Sequence, residues 1–175
     1  MKCRFNGIMD GVDAMGLRSD GSFPRILLAV DRGEDAASAV SLAARLAARD
    51  DGEVVVFHVW ERELVGNRWY TLEPKEDAEQ LVRWLAQGLR ERGVRARAQV
   101  CRGTFSRIPE TIVESAAEEF ADLIVMGAGS GTRLRRGIAE RTVRLSHVPV
   151  MLTGRPERRQ GSLDRELEQL LRSGA

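Results

Sequence analysis

The chain has 175 residues, 43% of them apolar and 30% charged, with a formal net charge of +1. That is enough for one soluble domain with a real core. It leaves no field for gripping a nucleic-acid backbone, and only 5% aromatic residues to stack on bases.

Residues 1–22 carry Gly7, Gly11, Gly16 and Gly21 among isolated apolar residues without a period, which reads as a flexible leader. They contain no apolar signal-peptide core, and no run in the chain approaches the ~18 apolar residues of a membrane span. Cys3 and Cys101 stand far apart, so no disulfide framework is expected and a reducing cytoplasm fits. The expected organisation is a leader at 1–22, a domain at 23–154, and a linker with a short helix at 155–175.

Ile26-Leu27-Leu28-Ala29-Val30 is a short continuous apolar run, as parallel strands buried on both faces show, and it ends at Asp31-Arg32-Gly33. An alanine-rich segment at 35–49 places Val40, Leu42, Ala43, Leu46 and Ala47 at helical spacing, and Asp50-Asp51-Gly52 stops it. Val54 to Val59 forms the second strand. Trp60 to Pro74 reads as a long connection with Trp69-Tyr70 in its middle, either a lid or an aromatic anchor. A second helix spans 75–92, with Ala78, Leu81, Val82, Leu85 and Leu89 on one face.

Val94, Ala96, Ala98 and Val100 alternate with Arg95, Arg97 and Gln99, the period of a half-buried strand at a sheet edge. Ile108, Ile112, Val113, Ala116 and Ala117 mark a third helix. The apolar strand ending at Met126 then runs into Gly127-Ala128-Gly129-Ser130-Gly131-Thr132. A helix with a stripe of Leu134, Ile138 and Leu145 leads to a last strand, Val148 to Leu152. The tail places Leu163, Leu167, Leu170 and Leu171 on one helical face behind Ser162. Four β-α units closed by a fifth strand predict an α/β fold, a doubly wound parallel sheet with helices on both faces. Ligands of such sheets bind beyond the carboxyl ends of the strands, where the winding reverses.

Five pieces in order resemble the universal stress protein family: Arg25 to Asp31, Val56 to Val59, Ala121 to Gly127, Ile138-Ala139-Glu140-Arg141, and Pro149-Val150. The resemblance covers roughly residues 24 to 154. It implies a five-stranded sheet of order 3-2-1-4-5, the adenine nucleotide alpha hydrolase-like fold, and a homodimer through strand 148–152. In one subgroup it implies ATP or another adenine nucleotide at the switch point. Carried over by position, Asp31 matches the acid that contacts the nucleoside and Val59 the backbone that meets adenine. Ala29, Met126, Gly127, Gly129, Ser130, Gly131, Thr132, Gly137 and Ile138 complete the implied nucleotide-binding set. The glycine loop departs from the family pattern of Gly, two residues, Gly, nine residues and Gly-Ser/Thr. Ser130 stands at the second glycine, Arg136-Gly137 at the third, and the loop is four residues short.

Two accounts of this loop stay open. It is a compact phosphate nest, with Thr132 capping the following helix and an anion relieving the cations Arg133, Arg135 and Arg136 in its first turn; or it is only a tight strand-to-helix turn. Asp31 likewise either meets a ligand or accepts hydrogen bonds from its own turn. His58 reads as a satisfied structural histidine and His147 as a helix cap or surface residue. With two histidines and no Cys-His spacing, no metal site is expected. No nucleophile, general base or metal set points to an enzyme. The function expected is a nucleotide-binding regulatory module; a scaffold without nucleotide, or a slow nucleotide hydrolase using Asp31, are the alternatives.

Overall fold

The computed structural model describes residues 21–33, 36–129 and 133–154, with 133–136 as backbone only. Residues 1–20 of the expected leader, 34–35, Ser130 to Thr132 and the expected tail at 155–175 lie outside these residues.

The elements in chain order are strands β1 (Arg25–Ala29), β2 (Glu53–Val65), β3 (Arg68–Thr71), β4 (Arg95–Gly103), β5 (Leu123–Gly127) and β6 (Val150–Thr153), interleaved with helices α1 (Ala36–Arg49), α2 (Lys75–Glu91), α3 (Ile108–Glu118) and α4 (Arg133–Leu145). The five parallel strands stand in the order β4-β2-β1-β5-β6. This is the predicted 3-2-1-4-5 sheet, with the alternating strand β4 at its edge as its half-wet pattern requires.

Both faces of the central strands are covered. Ile26, Leu28, Val54, Val56, Leu123 and Val125 pack with Val40, Leu85 and Leu89 of α1 and α2. Leu27, Val55, Phe57, Ile124 and Met126 point the other way, toward Ile112 of α3 and Ala139 of α4. A parallel strand buried twice has no polar face to offer, which is why these runs are continuously apolar. Each such side chain contributes about 1.5–3 kcal/mol on leaving water. The alanines on the buried face of α1 let that helix lie close against the sheet.

Close approach also explains Gly52, where a Cβ would stand 3.0 Å from the Pro24 carbonyl oxygen.

Three expectations change. The connection after Trp60 is a β-hairpin: β2 continues to Val65, and β3 pairs with it antiparallel, Arg62 opposite Thr71 and Leu64 opposite Trp69. Gly66 turns it with φ of 62°. Its signal is present in the sequence, because Gly66-Asn67 between Leu64-Val65 and Trp69-Tyr70 is a two-residue hairpin turn between strand formers. Trp69 and Tyr70 therefore stand on a strand, each 54% exposed. The expected stripe of α4 is also different: Ala139 and Thr142 are buried, while Leu145 is exposed at the last turn. Beyond that turn, the last strand starts at Val150, two residues later than the spacing suggested.

Candidate functional site at the carboxyl ends of the strands

The chain after β1 leaves toward α1 on one face, and the chain after β5 leaves toward α4 on the other. Adjacent strands whose exits diverge leave a crevice between them. Register sets what borders it. Ala29 pairs with Phe57 on one side and Met126 on the other, so Asp31, Val59 and Ala128 stand at one level, two residues further on.

Val59 does not end its strand, because β2 runs on beside β4 as far as Glu61 opposite Gly103. On the other side β1 has no residue paired beyond Phe57, and Val59 borders the crevice there. Gly103 fits beside it only as glycine, since a Cβ would come within 2.7 Å of Val59 Cγ1.

Asp31 is exposed, and its Oδ1 accepts the Gly33 amide at 2.8 Å, closing its own turn. On the β5 side Met126 is buried, Gly127 is half-buried, and the Ala128 amide donates to Thr153 O at 2.8 Å. Gly129 has φ of 75°, which glycine adopts without strain. Ser130, Gly131 and Thr132 lie outside the described residues. Gly137 and Ile138 fall inside α4, in its second turn; Gly137 is exposed with open space over its Cα, and Ile138 packs on the lower core. The unpaired amides of a helix are those of its first turn, here 133–136.

Behind the rim lies a group of side chains whose association the sequence did not signal. His58 Nδ1 is 2.8 Å from Val30 O, and its Nε2 is 2.5 Å from Glu73 Oε1. Glu73 Oε2 accepts from Arg32 Nε at 3.2 Å, and Arg32 Nη2 lies 3.8 Å from Asp77. The Trp60 indole donates to the Glu73 carbonyl at 3.0 Å. The network ties the Asp31 turn to the entry of α2. His58 is thus a buried, satisfied histidine. Only its alternation in β2 is visible in sequence; Glu73 and Arg32 are brought to it by the fold.

Among the described residues no cluster of His, Cys, Asp and Glu could hold a metal ion, and no helix is long and apolar enough to cross a membrane. Cys101 is a half-buried free thiol with Ser115 Oγ 3.8 Å away. His147 is exposed just past the end of α4.

A doubly wound, mostly parallel sheet of this strand order, with its switch point between β1 and β5, is the fold of the adenine nucleotide alpha hydrolase-like proteins. Within that class the chain belongs to the universal stress protein family, which its sequence matches over residues 22–154. It is 27% identical over 148 residues to a universal stress protein of Methanocaldococcus jannaschii, covering 78% of this chain and 85% of that one. Its fold is similar to that of a universal stress protein from Archaeoglobus fulgidus, with 23% identity and a TM-score of 0.60 over 79% of this chain; it spans only 46% of that longer chain. A second structure from the same organism, solved in complex with dAMP, is 24% identical with a TM-score of 0.58, over 74% of this chain and 96% of the other.

Proposed function

We propose that this protein is a cytoplasmic regulatory module that binds an adenine nucleotide, ATP, ADP or AMP, in the crevice between β1 and β5. The observation that carries the reading is the register bringing Asp31, Val59 and the Ala128-Gly129 turn to one level at the point where the winding reverses. The carboxylate of Asp31 takes the ribose hydroxyls, which donate to it. The backbone at Val59 and the Ala29 carbonyl side of the crevice meet the base. Gly127, Gly129, Ser130, Gly131 and Thr132, with the first-turn amides of α4, take the phosphates, and Gly137 and Ile138 support that helix from its second turn. The dAMP complex of an Archaeoglobus relative supports an adenine ligand for this fold.

The module works as a homodimer through strand 148–152. Among the described residues β6 pairs only with β5, and Leu152 on it is 43% exposed, an apolar sheet edge that suits a second copy.

The deciding experiment is mass spectrometry of small molecules released from the purified protein, paired with calorimetry against ATP, ADP and AMP. Released adenine nucleotide, and binding heat lost in Asp31→Ala, are the expected results. No released nucleotide and no heat with any of the three would leave a scaffold acting through dimer and partner contacts.

A further inference from the structure

A second cleft lies at the β4 edge of the sheet, with a volume of about 510 Å³, in the range of small-molecule sites. Its walls are the carboxyl end of β4, the outer face of α3, and the β2-β3 hairpin, which bends over the edge. They are fixed by contacts of their own. Glu63 of the hairpin accepts the Phe105 amide at 2.7 Å, and Thr111 donates to the Arg107 carbonyl at 2.9 Å.

Two arginines that line this cleft have no carboxylate partner among the described residues. Arg62 lies over two indole rings, 5.5 Å from the Trp60 centroid and 4.8 Å from that of Trp69. Its Nε is buried with no hydrogen-bond partner among the described residues. Arg102, exposed on β4, forms no ion pair or hydrogen bond among the described residues. A buried donor left unmade is costly, and two unneutralised cations beside one cavity favour an anion. Because the indoles already fix Arg62, little side-chain entropy remains to be lost when an anion arrives. Trp69, half exposed at the cleft, offers an aromatic surface for a flat apolar body. On the α3 wall, Glu118 and Glu114, the latter paired with Arg107 at 3.2 Å, repel a second negative charge, which disfavours polyphosphates.

We propose that this cleft binds a small planar aromatic monocarboxylate, its carboxylate between Arg62 and Arg102 and its ring against Trp69. The site is separate from the crevice between β1 and β5 and does not depend on a nucleotide there.

Cys101 lines the cleft and serves as its reporter. In a Cys3→Ser chain, iodoacetamide modification of Cys101 is followed by mass spectrometry, with benzoate, the uncharged benzamide, or inorganic phosphate present. Benzoate at about twice its dissociation constant is expected to slow modification roughly threefold, with benzamide and phosphate far less effective. Arg62→Met and the surface change Arg102→Met are each expected to abolish the protection, while Asp31→Ala leaves it intact. Unchanged modification in benzoate, equal protection by benzamide, or full protection in Arg102→Met would each overturn the proposal. The Arg102 variant decides the matter even where Arg62→Met disturbs the hairpin.

Discussion

Nε2 of His58 lies 2.5 Å from Oε1 of Glu73, while Nδ1 of the same ring faces the Val30 carbonyl at 2.8 Å. A carbonyl oxygen only accepts, so Nδ1 carries a proton; a carboxylate oxygen also accepts, so the second contact needs a proton as well. The pair is therefore an imidazolium facing a carboxylate, or a neutral ring facing a protonated acid. In either form it joins the residue before Asp31 to the segment that starts α2.

Removing one partner leaves the other buried and unmet. Glu73→Ala is expected to lower stability by about 1–3 kcal/mol, read from the urea midpoint. Replacing both partners, His58→Leu with Glu73→Leu, is expected to cost less than the sum of the single changes. Strict additivity would show that the two side chains do not act as a pair.

Gly103 and Val59 share space that admits no further carbon. Gly103→Ala places a Cβ against Val59 Cγ1 at 2.7 Å, a clash expected to cost roughly 1–3 kcal/mol. Val59→Ala in the same chain should recover most of that loss in chemical denaturation. A Gly103→Ala protein as stable as the parent would mean the two strand ends are further apart than described.

Asp31 is exposed and contributes little packing. Its replacement by alanine is expected to remove calorimetric binding of adenine nucleotide while shifting stability by about 1 kcal/mol, the scale of a hydrogen bond such as the one that closes its turn. Retained nucleotide affinity would remove the acid from the proposed site.

The Glu119 carboxyl is held below its ordinary value of 4.5, first by its hydrogen bond to Arg97, partly offset by burial. A depressed carboxylate stabilises the fold above its unfolded pKa, and the contribution is lost as pH falls through the lower, folded value. Glu119→Gln is therefore expected to lose stability at neutral pH and to show a shallower decline below about pH 4.5, measured by thermal melts across an acid series. Parallel curves for parent and variant would contradict the pairing.

The proposed dimerisation through β6 is best probed at its exposed position, Leu152. Leu152→Lys is expected to shift sedimentation from dimer to monomer, because a charge on a shared apolar edge must be desolvated. An unchanged dimer would place the interface elsewhere.

The central and edge places of the strands are legible in the sequence, because doubly buried strands such as Ile26 to Ala29 and Leu123 to Met126 must be apolar throughout, whereas Arg95 to Val100 alternates and so declares an edge; the full order 3-2-1-4-5 is what the family resemblance implies. Local rules of this kind fix element type, and right-handed crossovers then leave few ways to assemble the sheet. The candidate crevice followed from the same reasoning, since Asp31, Val59 and Gly127 each come at the end of an apolar run. What no local rule could supply is the meeting of residues distant in sequence. His58, Val30, Glu73 and Arg32 carry no shared motif, and Arg62 and Arg102 reach one cleft only because β2 overshoots β1, turns at Gly66 and folds over the sheet edge. Hydrophobic period is a property of neighbouring residues and is written in the chain; the pairing of polar groups depends on register between strands, and only the assembled sheet decides it.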